Sequence, residues 1–251
     1  MATTKATTLA HGQAGAIVSG TFATARIADD AINLDKLAHL GTDGHVLTST
    51  GTGTAPAFEA IAGGYTLVAY KQGPAPDSSV FAVDNVFSDT YESYSIVIES
   101  MIGATNMDTA EVYLRFIDDE GSEIGGSHYW YANIAKDSGG TDRIFTGESE
   151  ANMKLSGNMG AASGAKEGMC GELIFSGTRT ENTYSQVHGH LAFTRGDGHH
   201  TTSVLSCVYK GTGSGSSGTK IRGFNIKGGG SSNKWTVNAE GGVYVFGYNN
   251  S

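Results

Sequence analysis

Ten short runs, each rich in β-branched and aromatic residues, follow one another from Tyr65 onward: YTLVAY, SVFAVDNVF, SYSIVIES, EVYLRFID, HYWYANI, CGELIFSG, SQVHGHLAFT, TSVLSCVYK, KIRGFNIKG and GGVYVFGYN. Glycine and serine punctuate the intervals, as in DDEGSEIGG, KDSGGTDR and TGSGSSGT. These are strands joined by turns. Ile96 and Ile98 alternate with Ser95 and Val97, and Val112, Leu114 and Phe116 alternate with Tyr113, Arg115 and Ile117. A period of two with one strongly apolar face predicts antiparallel strands covering a shared interior. Ile96, Ile98, Leu114 and Phe116 are the expected core. No helical pattern separates the runs, so a parallel α/β fold is excluded. An all-β fold, an antiparallel β-sandwich or jelly roll, is the expected architecture for residues 63–251.

Composition agrees: 37 glycines stand against 3 prolines, without the triplet period of collagen. The formal net charge of −9 excludes a duplex DNA binder, which needs a lysine and arginine footprint. No apolar run approaches the ~18 residues of a membrane span. The opening MATTKATTLAHGQAGAIVSG lacks the apolar core of a secretory signal, so folding in a cytoplasm is expected. Cys170 and Cys207 both lie in strand-like runs; they read as buried free thiols, with a Cys170–Cys207 disulfide as the alternative.

Residues 1–62 are different. They are rich in alanine, threonine and glycine, and hold too few large apolar groups to offset their backbone entropy alone. Within ARIADDAINLDKLAHL, Ile27, Ala31, Leu34 and Leu37 recur at helical intervals, which predicts a short amphipathic helix. Asp29 and Asp30 suit its N-terminus. A thin stripe of this kind finds its core in neighbouring copies; three chains would close the interior, and a flexible linker is the plain alternative. Ile27, Leu34, Leu37 and Val46 are the expected interface between copies.

The order NVFSDTYESYSIVIES, EVYLRFID, HYWYANI, IRGFNIKGG and GGVYVFGY resembles a β-sandwich domain of the fibre and tail proteins of tailed bacteriophages. Phe87, Tyr91, Tyr94, Leu114–Arg115–Phe116 and Val243 to Gly247 occupy that pattern's places. The N-terminal segment is similar to phage fibre stalks in its threonine-rich entry, its IADDAINLDKL element, and GTDGHVL followed by PAF. The resemblance implies a non-enzymatic virion protein with no cofactor, made in the host cytoplasm. It implies a homotrimer attached to other virion proteins through residues 1–62 and presenting its sandwich to a host-surface glycan or receptor. A capsid decoration or head fibre is the alternative, and a glycan-cleaving tailspike ranks below both.

Chemical motifs are sparse. His188 and His190, two apart on one strand, share a side and with His199 and His200 put four histidines within thirteen positions. They are candidate metal ligands, but no cysteine or carboxylate completes a ligand spacing, and a solvated strand looks the same. The acids fall mainly in glycine-rich loops, where hydrated charge explains them better than a hydrolytic pair. Trp130, Tyr131, His199, His200 and Trp235 lie in or beside loops and combine a flat face with a hydrogen-bonding edge. They are the candidate glycan contacts, with core packing the competing role for the tryptophans.

Overall fold

The structure is a computed structural model that describes residues 64–73, 78–102, 110–159, 168–180, 183–211, 219–229, 235 and 241–248. It also describes two strands nearer the N-terminus. The chain divides into two compact units, Met1–Ile61 and Ala62–Ser251. In the first, β1 (His45–Thr48) pairs antiparallel with β2 (Ala57–Ala60), setting Val46 opposite Glu59. The expected stalk helix, with Ile27, Leu34 and Leu37, lies outside the described residues.

Twelve strands make the second unit: β3 (Tyr65–Gln72), β4 (Val80–Val83), β5 (Ser93–Met101), β6 (Ala110–Asp118), β7 (Tyr129–Asp137) and β8 (Asp142–Glu150), then β9 (Met153–Met159), β10 (Met169–Ser176), β11 (Ser185–Thr194), β12 (His200–Tyr209), β13 (Ile221–Gly228) and β14 (Gly242–Tyr248). Among the described residues there is no helix. Ten of the strands coincide with the runs read from the sequence. The two that do not, β8 and β9, have the sequences DRIFTGESE and MKLSGNM, polar and poor in β-branched residues. Partner strands, rather than local propensity, hold them extended.

All pairings in this unit are antiparallel. They form a large sheet in the order β3-β14-β5-β10-β11-β12-β7-β8 and a small sheet in the order β4-β13-β6-β9. The inward faces of both contribute to one buried cluster, in the manner of a β-sandwich. Ile96, Ile98, Leu114 and Phe116 are all buried in it. Alternation breaks at two of the positions that should face outward. Ser95 is buried and donates to Glu172 at 2.5 Å, and Ile117 is buried where it bridges to Glu123.

Aromatic rings knit the two layers. Phe116 and Phe224 of the small sheet meet Phe175 of the large one at 5.9 and 5.3 Å between ring centres. Phe87, in the loop before β5, lies 4.6 Å from Tyr94 and 5.5 Å from Phe175. The Tyr94 hydroxyl closes that loop by accepting from the Ser88 amide at 2.7 Å and donating to the Ser88 carbonyl at 2.9 Å. Tyr91 lies over β14 at Gly247, where an added Cβ would come within 2.4 Å of its ring. The stretch FSDTYESYSIVIES therefore works as packing: a loop pinned by its own aromatics, leading into a core strand.

Cys170 and Cys207 are both free. Cys170 is exposed on β10, whereas Cys207 points inward from β12, where burial pushes its thiol up to about 12. Because the thiolate is the reactive form, a thiol reagent at about pH 8 should modify one cysteine per folded chain. Peptide mapping should find Cys170 labelled, and Cys207 only after denaturation. Phe116→Ala should destabilise the unit by ~3–5 kcal/mol in denaturant melts, the cost of a large cavity in a packed core.

Candidate functional site

Alternation on β6 that turns Val112, Leu114 and Phe116 inward turns Tyr113 and Arg115 outward on the small sheet. Register then sets Lys227 of β13 beside Tyr113, and Asn225 beside Arg115. Lys154 of β9 flanks Tyr113 from the other side. Together with Ser79, Val80, Asn152 and the Gly228–Gly229 backbone, Tyr113, Arg115 and Lys227 line an open trough of about 370 Å³. That is within the ~300–1,000 Å³ range of small-ligand sites.

Glu123 organises one side of this trough. Its carboxylate accepts from Lys227 at 2.8 and 3.1 Å, from the Asn225 amide at 2.8 Å, and from Arg115. Burial works to raise its pKa, but these donors outweigh it and hold the group below its usual value. Arg115 also donates to Asn152. On the other side Glu111 accepts from Lys154 and from the Tyr113 hydroxyl. Burial first, and this acceptor second, push the Tyr113 phenol well above its ordinary range, so it stays a neutral donor. Arg115 and Lys227 share a single acid, which leaves the site a positive excess in a chain of net charge −9.

The expected contact residues separate into distinct places. Trp130 is half-buried at the start of β7, with the Lys210 ammonium over its ring and its indole N–H donating to Ser149 at 3.2 Å. Tyr131 packs against the core cluster. His199 and His200 lie at the far end of β12, beside Ser138 and Thr194, with Nδ1–hydroxyl distances of 3.3 and 3.1 Å. Seven residues of β7 separate Trp130 from that corner, about 23 Å at ~3.3 Å per residue, so the two groups do not meet. Trp235 is fully buried; its indole donates to the Ile226 carbonyl at 3.3 Å and its backbone amide to Ser78 at 2.9 Å. A ring with no exposed face cannot stack on a sugar, so the expectation for Trp235 is corrected to a core role. His188 and His190 are exposed on one face of β11, opposite Ile174 and Glu172. Among the described residues no three metal-binding side chains converge.

The trough was not singled out in the sequence. Tyr113 and Arg115 carry a signal, since EVYLRF alternates cleanly, but Glu123 reaches them through a glycine-rich turn that no periodicity marks. No family model, curated protein or solved structure matches the chain.

The His199 corner owes its shape to Asp137. This buried carboxylate accepts from the Thr141 amide at 2.9 Å, Arg195 at 3.0 Å and Arg143 at 3.4 Å. The Thr141 hydrogen bond and then the arginines lower its pKa, against the opposing effect of burial. The folded state thus binds fewer protons here than the unfolded chain below about pH 4, and the stabilisation is lost as pH falls through the lowered value. Denaturant melts of Asp137→Asn should show a shallower loss of stability between about pH 4 and pH 2 than the parent. Parallel pH profiles would show that this carboxylate does not carry the effect.

Proposed function

We propose that the chain is a non-enzymatic virion protein of the bacteriophage fibre kind. Residues 1–62 form an oligomerising stalk with a short helix that joins three copies and attaches them to other virion proteins. The jelly-roll-like sandwich of residues 63–251 contacts a glycan on the host surface. A head fibre or capsid decoration built from the same two parts is the second placement.

The observation that carries the binding part of this reading is the trough on the small sheet. Its side chains project from paired strands and are fixed by hydrogen bonds to Glu123 and Glu111, so the site is pre-organised. A tyrosine face among amide, guanidinium and ammonium donors is the chemistry that recognises hydroxylated ligands. The stalk part is supported by the resemblance of residues 1–62 and by their shortage of core-sized residues. Several weak sites on one assembly raise avidity ~100- to 10,000-fold over a single site, which suits a small open trough.

Tyr113→Ala and Lys227→Met should each weaken binding of the labelled full-length protein to host cells or immobilised host polysaccharide about tenfold or more, equivalent to about 1.4 kcal/mol each. Melting temperatures should stay close to the parent's. Parent-like adsorption by both variants would remove the trough from the reading. Immunogold labelling of particles distinguishes tail from head, and absence of the chain from purified virions would sink the virion assignment. New reducing ends after incubation with the polysaccharide would reveal a glycan-cleaving enzyme instead.

A further inference from the structure

The outer face of the large sheet is built the wrong way round for a surface in water. On β7, Asn133 is fully buried while Ile134 is 66% exposed. On β12, Thr201 and Ser203 are buried while Val204 is 65% exposed. Ile144 of β8 is 72% exposed. Register makes these three apolar groups neighbours: Ile134 pairs with Ile144 on one side and with Val204 on the other. Of these inward polar groups, Asn133 donates to the Lys154 carbonyl and Ser203 to that of Leu191.

At the opposite end of the same face stands an aromatic plate. Tyr70 and Tyr244 lie 4.5 Å apart, Tyr65 and Tyr248 lie 5.5 Å apart, and Leu67 pairs with Phe246 between them. One row of paired residues connects the two ends, from Ile144 and Ile134 through His190 on β11 to Tyr244 and Tyr70. The row itself holds a single carboxylate, Glu172, which accepts from Ser95. Copies of a chain with net charge −9 meet little mutual repulsion on such a face.

We infer that further copies of this same chain cover the outer face of the large sheet. The inference rests on the oligomeric part of the function proposed above and extends the contact between copies from the stalk to the sandwich. Size supports that occupant. Eight strands at ~4.8 Å spacing and four outward positions at ~6.7 Å give about 700 Å² per copy, near the ~800 Å² that each partner buries in a standard interface. The two ends differ, one aromatic and one aliphatic. A contact that uses both sets the plate of one copy against the Ile134–Ile144 corner of another, and a twofold axis across the middle of the face makes that match at both ends of one pair.

The test is the mass and dissociation constant of the full-length protein, by light scattering and sedimentation over a concentration series. Leu67→Lys and Ile144→Lys alter exposed positions at the two ends, and Ile27→Asp with Leu34→Asp alters the stalk. Each charge change on the face should raise the dissociation constant at least tenfold, and the pair together at least a hundredfold, with unchanged melting at low concentration. If lysine disturbs the fold, Leu67→Thr and Ile144→Thr keep strand propensity and should shift association in the same direction. An oligomer that dissociates only with the stalk variant overturns this face while sparing the proposed stalk. A parent that stays monomeric at high micromolar concentration overturns both. An oligomer that depends on the face in a protein absent from virions leaves the inference standing without the virion assignment.

Discussion

The Tyr129 hydroxyl sits where the two sheets meet. It belongs to β7 of the large sheet, yet it accepts from the Phe116 amide of β6 at 3.1 Å and donates to the Ile124 carbonyl at 2.9 Å. Burial raises its pKa far above the ordinary range, so it remains an intact hydroxyl that can do both. Ile124 in turn returns its amide to the Phe116 carbonyl at 2.9 Å, which folds the turn after β6 back over that strand. Glu123 is the residue this arrangement delivers to the trough. A buried phenol in the interior thus sets the position of the carboxylate that orders Arg115, Asn225 and Lys227 on the outside.

Strand periodicity made much of this legible in the sequence. EVYLRFID declares its inner and outer sides, and Leu114 and Phe116 are buried as that alternation requires. Strands such as β8 and β9 were invisible because their residues have little preference for extension and take it from their neighbours. The two tryptophans show a second limit. Trp130 follows the glycine- and serine-rich EIGGSHY and Trp235 follows GGGSSNK, but only the folded chain tells which ring is covered. Trough residues come from β6, β13 and a turn, more than a hundred positions apart between Glu123 and Lys227, and single-strand patterns hold no information on such pairing.

The inverted strands mark the sharpest departure from simple reading. In YWYANIAKD the apolar Ile134 would be assigned inward on hydrophobicity, yet Tyr129, Asn133, Ala135 and Asp137 take the buried side. Tyr129 anchors the register, and a one-residue slip would expel it from the aromatic core. Packing of one large ring outweighs the placement of one isoleucine, and the outer face inherits what is left over. The small sheet carries charge and amides outward, and the large sheet carries aliphatic and aromatic surface, so the domain has two chemically opposite sides.

The large sheet also joins distant parts of the chain. Strand β3 stands at its edge and, among the described residues, has one neighbour, β14, with Tyr65 opposite Tyr248. As the polypeptide leaves the ribosome, the first strand of this unit therefore emerges with nothing to pair with until the last has been made. Its tyrosines and unpaired amides wait through the synthesis of every intervening strand, which is the interval in which edge-to-edge mispairing between nascent chains is most dangerous. Closing so long a loop is also slow, because its entropy is lost before the ladder forms. Maturation of this fold is thus timed by its final strand, and a chain stalled short of Gly242 would carry an open, sticky edge however well the rest had packed.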